Sequence, residues 1–237
     1  MSVIWHDLEC GRYEADLPFW RELAAGRPGP ILDIGAGTGR VSLDLARAGH
    51  EVIALDLDAE LLQELGHRAR DLPVTTVAAD ARDFQLGVRF DLILVPMQTI
   101  QLLGGAEGRR AFLICARQHL RSGGRLAVAL ADELEEFEVV DGGPTPLPDV
   151  LERDGVVYSS APTAVRPDGD GFMLERRRET VTPAGELNLE QDRVHLDALD
   201  PEGLEQEGRA AGLRVLRRGR IAPTRDYVGS VVVMFDG

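Results

Sequence analysis

The first 130 or so residues alternate between short apolar runs and stretches in which apolar residues recur every three or four positions. Short apolar runs bounded by turn residues predict buried strands, and the three-to-four spacing predicts amphipathic helices. The predicted strands cover 31–34, 51–55, 74–79, 90–95 and 125–130. The predicted helices cover 13–25, 38–48, 59–70 and 106–120. This alternation indicates an α/β fold with a doubly wound, mostly parallel sheet.

The pattern changes after residue 130. A turn-rich connector over 141–148 is followed by strand-like stretches over 155–165, 172–182 and 186–196. Only turn residues separate these stretches, which predicts an antiparallel meander. Asp200-Pro201 then predicts the start of a helix, and two last strands follow over 213–216 and 228–235. We therefore expect a seven-stranded Rossmann-like sheet with a small antiparallel β meander inserted before the last helix.

These elements divide the chain into four predicted parts. Residues 1–29 form an N-terminal helical cap, 30–131 the ligand-binding α/β core, 132–196 a linker and antiparallel insertion, and 197–237 the C-terminal helix with the last two core strands. Since meander edges commonly pair between subunits, a homodimer through this insertion is one of the expectations.

The link between the first core strand and the first core helix is rich in glycine. Residues 33–40 read Asp-Ile-Gly-Ala-Gly-Thr-Gly-Arg. Glycine permits tight positive-φ turns, and the N-terminus of the next helix presents unpaired N–H groups, so the loop suits a nucleotide-like ligand. A dinucleotide fold needs Gly-x-Gly-x-x-Gly, and the third of those positions is Arg40, which disfavours an NAD-dependent oxidoreductase. A P-loop is excluded because no lysine follows.

Composition narrows the function further. The 237 residues carry a formal net charge of −14, which disfavours a nucleic-acid partner because such partners require a basic surface. All 26 basic residues are arginine, so Schiff-base chemistry on lysine is excluded. No apolar run is long enough for a membrane span, and the N-terminus lacks the pattern of a secretory signal. The two cysteines lie far apart, so we expect no disulfide framework, no metal site and a cytoplasmic location.

Asp33 followed by glycines at 35, 37 and 39 resembles the first motif of the class I S-adenosylmethionine (SAM)-dependent methyltransferases, and the resemblance extends from about residue 30 to residue 235. It implies SAM as the cofactor and S-adenosylhomocysteine (SAH) as the product. Asp56, after the second strand, would bind the ribose hydroxyls, and the alternative role of helix cap suits Asp58 better. The full set of cofactor-binding residues that the resemblance implies is Tyr13, Asp33, Gly35, Ala36, Gly37, Gly39, Asp56, Leu57, Asp80, Ala81, Pro96, Met97 and Gln101.

Two of these positions have alternative interpretations. The resemblance places Asp80 and Ala81 at the adenine, but an aspartate in this position also suits a simple turn. Tyr13 would lie over the cofactor as part of the N-terminal helix, or it would only pack that helix on the core.

The loop over residues 96–101 indicates the chemical class of the methyl acceptor. Methyltransferases that modify exocyclic amines of bases carry Asn/Asp-Pro-Pro-Tyr/Phe in this place, whereas this chain reads Pro-Met-Gln after Val95. A nucleophilic cysteine of the pyrimidine C5 type is also absent. We therefore expect a small-molecule acceptor, with Gln98, Arg176 and Arg178 as substrate residues. The two arginines share one face of a predicted strand, where they would grip an acidic acceptor or lie on a solvated face. The insertion that contains this strand resembles the substrate lid or oligomerisation sheet of small-molecule N-methyltransferases.

His195 is the candidate general base because imidazole removes protons near neutral pH, and a structural role is its alternative. The implied reaction is in-line displacement of the methyl group by an acceptor nitrogen or oxygen, a step that depends mainly on alignment. A protein that binds or senses SAM without turnover is the competing hypothesis.

Overall fold

The computed structural model describes residues 3–131, 135–140, 146–225 and 227–237. Within them the chain forms two compact units. The first comprises residues 13–131 and 199–237, and the second comprises residues 4–12, 135–140 and 146–198. The first unit is a mixed α/β layer structure, and the second is an antiparallel sheet with one short helix.

The helices and strands follow one another in the order expected for an α/β core with an insertion. The helices are α1 (Val3–Glu9), α2 (Leu17–Ala24), α3 (Arg40–Arg47), α4 (Ala59–Arg68), α5 (Gly105–His119) and α6 (Pro201–Ala210). The strands of the first half are β1 (Ile31–Ile34), β2 (Val52–Asp56), β3 (Val74–Ala78), β4 (Phe90–Val95) and β5 (Leu120–Ala131). The later strands are β6 (Phe137–Glu138), β7 (Asp149–Arg153), β8 (Val156–Asp168), β9 (Gly171–Val181), β10 (Leu187–Asp197), β11 (Arg214–Val215), β12 (Gly219–Ile221) and β13 (Ser230–Asp236).

The first unit is built on a sheet with the strand order β11-β13-β5-β4-β1-β2-β3, to which β12 adds by pairing with β13. Strands β1 to β5 are parallel, and β13 is antiparallel to β5. Both faces are buried: Leu32 and Ile34 pack in the cluster that includes α5 and α6, and Ile31 packs in the cluster that includes α2 and α3. This arrangement confirms the predicted doubly wound, mostly parallel sheet.

Two features of this sheet differ from the prediction. The sheet has an eighth strand, β12, whose three residues are too few to show a hydrophobic pattern. Strand β5 also begins earlier than expected: Leu120 pairs with Phe90, and the next pair joins Arg125 to Leu92. Four residues of β5, 121–124, therefore face the single residue Asp91 of β4, and Gly123 inside this bulge has a φ of +76°.

The second unit is an antiparallel sheet with the order β10-β9-β8-β6, in which β7 also pairs with β8. The predicted meander corresponds to β8, β9 and β10. Strands β6 and β7 lie in the part of the chain predicted as linker, of which residues 132–134 and 141–145 fall outside the described residues. Two strands were missed there because β6 has only two residues and β7 follows a proline-rich stretch.

Helix α1 belongs to the second unit rather than to a common N-terminal cap. The Trp5 ring contacts the Tyr158 ring edge to face at a centroid distance of 5.5 Å. The carboxylate of Glu9 accepts a 2.7 Å hydrogen bond from the Ser160 hydroxyl. The predicted cap over 1–29 is therefore divided between the two units. Among the described residues, no helix is both long and apolar enough to cross a membrane.

Candidate functional site

Three loops lie at the carboxyl edge of the first unit's sheet, where the strand order changes direction. Strand β1 lies between β2 and β4, with β3 beyond β2 and β5 beyond β4. Open α/β sheets bind ligands outside the strand ends at such a point. The loops that follow β1, β2 and β4 carry most of the cofactor-binding residues predicted from the sequence.

The loop between β1 and α3 requires glycine for two reasons. Gly35, Gly37 and Gly39 have φ values of +72°, +53° and +95°, a region that other residues rarely adopt. A Cβ on Gly39 would lie 2.1 Å from a methyl carbon of Leu65, and a Cβ on Gly35 would lie 2.6 Å from the Thr99 methyl carbon. The glycines therefore form the turn and also let α4 and the β4 loop approach its backbone.

Asp56 joins the loop after β2 to the glycine loop. Its Oδ2 accepts a 2.8 Å hydrogen bond from the Gly37 N–H, and its Oδ1 accepts a 2.9 Å hydrogen bond from the Asp58 N–H. The helix-cap role belongs to Asp58, whose carboxylate accepts from two N–H groups at the start of α4. Leu57 is 75% exposed. A fixed carboxylate beside an exposed apolar side chain can bind hydroxyl groups and the face of a ring.

Asp33 is a buried carboxyl group within β1, and its side chain is almost completely inaccessible. Its Oδ2 accepts a 2.6 Å hydrogen bond from the Ser42 hydroxyl. Among the described residues, none donates a hydrogen bond to its Oδ1. Burial raises the pKa of Asp33 to about 6, and the Ser42 hydrogen bond acts in the opposite direction. A buried acceptor without a partner is costly, so Oδ1 suits a ligand group that donates a hydrogen bond or carries a positive charge.

Arg40 holds the segment before α2 against the start of α3. Its guanidinium forms a bidentate ion pair with Asp16, in which Nη2 lies 2.9 Å from Oδ2 and Nη1 donates a hydrogen bond to Oδ1. Nη1 also donates a 2.8 Å hydrogen bond to the Tyr13 carbonyl. Asp16 also accepts a 2.8 Å hydrogen bond from the Trp20 indole. The guanidinium carbon lies 5.1 Å from the centre of the Tyr13 ring. Tyr13 is therefore buried and fixed beside the helix that follows the glycine loop.

The loop after β4 packs on the glycine loop. Met97 has a φ of +54°, which is strained for a residue with a side chain. The Thr99 hydroxyl donates a 2.9 Å hydrogen bond to the Pro96 carbonyl and thereby closes the turn. The Thr99 side chain occupies the space that a Cβ on Gly35 would need. The predicted residues Pro96 and Met97 are thus held beside the glycine loop.

The two glutamines of this loop have different environments. Gln101 is buried, and its Oε1 accepts a 3.3 Å hydrogen bond from the Ala131 N–H at the end of β5. Gln98 is half-buried at the start of the short 3-10 helix Thr99–Leu102, and its carbonyl accepts a 2.8 Å hydrogen bond from the Gln101 N–H. Gln101 therefore has a role in holding the loop to the sheet, while Gln98 as a substrate residue stays a prediction.

Asp80 makes the hydrogen bonds expected of a turn residue. Its Oδ1 accepts a 2.8 Å hydrogen bond from the Arg82 N–H, and its Oδ2 lies 2.7 Å from Arg82 Nη2. These hydrogen bonds hold the pKa of Asp80 below its usual value. Ala81 packs at the edge of the core cluster. An adenine-binding role for Asp80 and Ala81 stays a prediction.

Within the second unit, the two arginines predicted for the substrate are paired with carboxylates. Arg178 contacts Glu9 at 2.7 Å and Asp192 at 2.8 Å, and Arg176 contacts Asp149 at 3.1 Å. The Arg178 side chain is only 9% exposed. The interpretation as a solvated face is therefore wrong, and a grip on an acidic acceptor would have to compete with these carboxylates.

His195 lies among aspartates of the second unit. Its Nδ1 is 3.1 Å from Asp168, and its Nε2 is 3.9 Å from Asp170 and 4.0 Å from Asp197. The ring is more than one-third exposed. Catalysis by His195 stays a prediction.

Sequence reasoning missed three residues that hold the site. Ser42 lies on the apolar stripe of α3, and a polar residue in such a stripe was the available signal. Asp16 lies inside the helix predicted over 13–25, whereas in the structure it precedes α2, where its carboxylate makes no cap hydrogen bond and binds Arg40 instead. Thr99 gave no signal, because its contact with Gly35 joins distant parts of the chain.

Comparison with known proteins shows which proteins this core is similar to. Residues 31–124 match the family model described as a methyltransferase domain. A cypemycin N-terminal methyltransferase from Streptomyces is 32% identical over 127 residues, which cover 54% of this chain and 51% of that protein. The matched region thus spans about half the length of this relative. A dTDP-3-amino-3,4,6-trideoxy-alpha-D-glucopyranose N,N-dimethyltransferase from Streptomyces venezuelae is 28% identical over 187 residues, covering 78% of this chain and 75% of that protein.

Solved structures share the fold over almost the whole chain. A SAM-bound amino pentose methyltransferase from Micromonospora echinaspora has a TM-score of 0.74 at 22% identity, covering 99% of this chain and 97% of that one. A sugar N-methyltransferase from Streptoalloteichus has a TM-score of 0.73 at 18% identity, covering 99% and 91%. Residues 31–124 therefore match a methyltransferase domain, and the chain has the fold of these solved methyltransferases.

Proposed function

We propose that the chain is a SAM-dependent methyltransferase that methylates a nitrogen atom of a small molecule. The observation that carries this proposal is the arrangement at the carboxyl edge of the first unit's sheet. There the Asp56 carboxylate is tied to the glycine loop by the Gly37 N–H, and Asp33 presents a buried oxygen without a partner among the described residues. A nucleoside joined to an amino acid has the hydroxyls and the ammonium group that these two carboxylates would bind.

The residues present fit SAM. Asp56 would accept hydrogen bonds from the ribose hydroxyls, the exposed Leu57 would contact the adenine ring, and Asp33 Oδ1 would accept from the ammonium group. The positive-φ glycines leave backbone uncovered for close approach. When bound, SAM supplies an electrophilic methyl group on a sulfonium. The chain then has to hold the acceptor in line and exclude water, and such alignment lowers the barrier to displacement.

Two observations support a small-molecule amine as the acceptor. The curated relatives are named as methyltransferases of a peptide N-terminus and of an amino sugar. The net charge of −14 disfavours nucleic acid. A neutral amine has its own lone pair, so its methylation needs no general base, and the proposal holds even if His195 takes no part. Cytoplasmic location and a homodimer through the second unit's sheet are further expectations.

Calorimetric titration with SAM and SAH tests the cofactor, with NAD as the control ligand. We expect micromolar binding of SAM and SAH, and at least tenfold weaker binding in Asp56→Ala because two N–H groups lose the acceptor that orders the loop. Asp58→Ala is the matched control: it removes a helix cap, should cost about 1 kcal/mol of stability, and should retain most of the affinity. Preferential binding of NAD would contradict the proposal.

Turnover is then tested with mass spectrometry on a nucleotide-linked amino sugar and on a peptide with a free N-terminus. We expect a methyl group to be added to one of these amines, with SAH as the second product. Binding of SAM without methylation of any amine in a wider panel would favour the alternative of a SAM-binding protein without turnover.

A further inference from the structure

The loop that connects β3 to β4 begins beside the proposed cofactor site. The Ala79 N–H donates a 3.0 Å hydrogen bond to the Asp56 carbonyl, so residue 80 starts the loop directly next to the loop of Asp56. Along the carboxyl edge, the order β4-β1-β2-β3 places this loop on one side of Asp56 and places Asp33 and the β4 loop on the other. If Asp56 binds the ribose and Asp33 the ammonium group, the base must lie on the β3 side.

The far part of this loop is held by two side chains of α5. The Cys115 thiol lies 3.3 Å from the Phe84 carbonyl, to which it donates. The Leu86 N–H donates to His119 Nε2 at 3.4 Å. The Phe84 and His119 rings pack at a centroid distance of 4.4 Å and an interplanar angle of 40°. Three contacts thus fix residues 84–86, which would otherwise be a surface connection.

The hydrogen bonds define the state of the imidazole. His119 Nδ1 lies 2.8 Å from the Cys115 carbonyl, which can only accept, so Nδ1 carries the proton. Nε2 is then the acceptor that the Leu86 N–H requires. Cys115, His119 and Phe84 are all buried, with exposures of 6%, 6% and 1%. The hydrogen bond from Cys115 is buried and the one to His119 is partly buried, so the loss of either leaves a backbone group at least partly shielded from water without its partner.

We infer that Cys115 and His119 are positioning residues for the adenine end of the cofactor site. They hold the loop over residues 80–86 in place through Phe84 and Leu86, and that loop forms the wall on which the base rests. The inference rests on the proposed function, since it concerns affinity for the nucleoside half of SAM. Neither side chain touches the ligand, so their effect on affinity is indirect.

The test uses two ligands and paired variants of the full chain. SAH reports on the whole site, and 5′-methylthioadenosine reports on the nucleoside half alone. His119→Phe keeps a ring beside Phe84 and removes the acceptor, whereas His119→Gln restores an acceptor near the position of Nε2. Cys115→Ala and Cys115→Ser form a second pair in case His119→Phe does not fold. Val233→Ala removes buried volume from β13, which β5 separates from β4 in the strand order, and controls for a general loss of stability.

We expect His119→Phe and Cys115→Ala to weaken both ligands by the same factor, about fivefold to tenfold, the effect of one lost hydrogen bond. His119→Gln and Cys115→Ser should recover affinity to within about threefold of the unmodified chain, and Val233→Ala should lower the melting temperature while affinity is retained. Unchanged affinity in both His119→Phe and Cys115→Ala overturns the inference, as does a loss for SAH without a loss for 5′-methylthioadenosine. Failure of the unmodified chain to bind either ligand instead refutes the proposed function, and the inference with it.

Discussion

The buried carboxyl group of Asp33 makes the stability of this fold depend on pH in an unusual direction. Burial raises the pKa of Asp33 from 3.8 to about 6 in the folded chain. In the unfolded chain the group is exposed and titrates at its ordinary value. Between these two values the folded chain binds a proton that the unfolded chain has released. The contribution of Asp33 to stability is therefore fully present below about pH 4 and is lost as the pH rises through about 6.

The size of this effect follows from the shift in pKa. A difference of about 2 units at about 1.4 kcal/mol per unit gives about 3 kcal/mol, a large fraction of the stability of an ordinary domain. Other carboxylates have the opposite dependence on pH. Arg82 lowers the pKa of Asp80, and Arg218 lowers the pKa of Glu205, so the contribution of these two groups to the stability of the fold is lost as the pH falls. The Asp33 term is therefore visible only as a difference between two variants.

Asp33→Asn provides that difference. The amide keeps an oxygen for the Ser42 hydroxyl and cannot ionise, so the variant should lack the pH-dependent contribution of Asp33 to stability. We expect urea unfolding to show similar stabilities near pH 4 and a variant more stable by about 2 to 3 kcal/mol near pH 7.5. The reasoning would be refuted if the free energies of unfolding of the two proteins changed in parallel between about pH 4 and pH 8, because a solvated Asp33 makes no pH-dependent contribution to stability in this range.

The same carboxyl group should act on ligand affinity with the opposite sign. Only the ionised form pairs with an ammonium group, so SAH affinity of the unmodified chain should rise from about pH 5 to pH 7, where its stability without ligand declines. Asp33→Asn should bind SAH weakly and with little dependence on pH. If the stability difference appears while the affinity has no such dependence, Asp33 is buried as inferred but does not contact the ammonium group.

Two further substitutions test packing and charge. Gly39→Ala should lower the free energy of unfolding in urea by about 2 to 4 kcal/mol, because its Cβ would overlap a leucine methyl carbon of α4 at 2.1 Å and its φ is +95°. Gly49→Ala is the control, since Gly49 has a φ of +94° but open space around it, and the backbone strain alone should cost about 1 kcal/mol. Equal losses of stability in the two variants would show that the overlap at Gly39 relaxes. Arg178→Met should cost about 3 kcal/mol because Glu9 stays buried without its main partner. Arg177→Met, at an exposed position, should cost less than about 0.5 kcal/mol. A raised KM for the acceptor at unchanged stability in Arg178→Met would instead restore the substrate role.

The fold could be predicted from the sequence wherever local pattern and burial agree. Strands β1 and β4 are buried on both faces and are therefore mostly apolar in sequence. Asp58 and Asp200 start helices with the cap hydrogen bonds that their side chains suggest. The short strands β6, β7 and β12 could not be predicted, because they exist only through pairing with a longer neighbour. The bulge in β5 was hidden for a similar reason, since a register shift is a property of two strands.

The candidate site divides in the same way between local and long-range causes. The glycine loop was predictable because its φ values are a property of the residues themselves. The functions of Arg40 and Asp16 were not, because the two residues are 24 positions apart and each has an ordinary local explanation. In the sequence, Arg40 disfavours a dinucleotide-binding loop because it stands where the third glycine would be. The structure shows what the arginine does: a glycine there would leave the buried Asp16 without its guanidinium partner and would remove the hydrogen bond to the Tyr13 carbonyl. A position that distinguishes cofactor classes by sequence thus also carries the ion pair that fixes the N-terminal segment, so substitutions at Arg40 should affect stability and cofactor binding together.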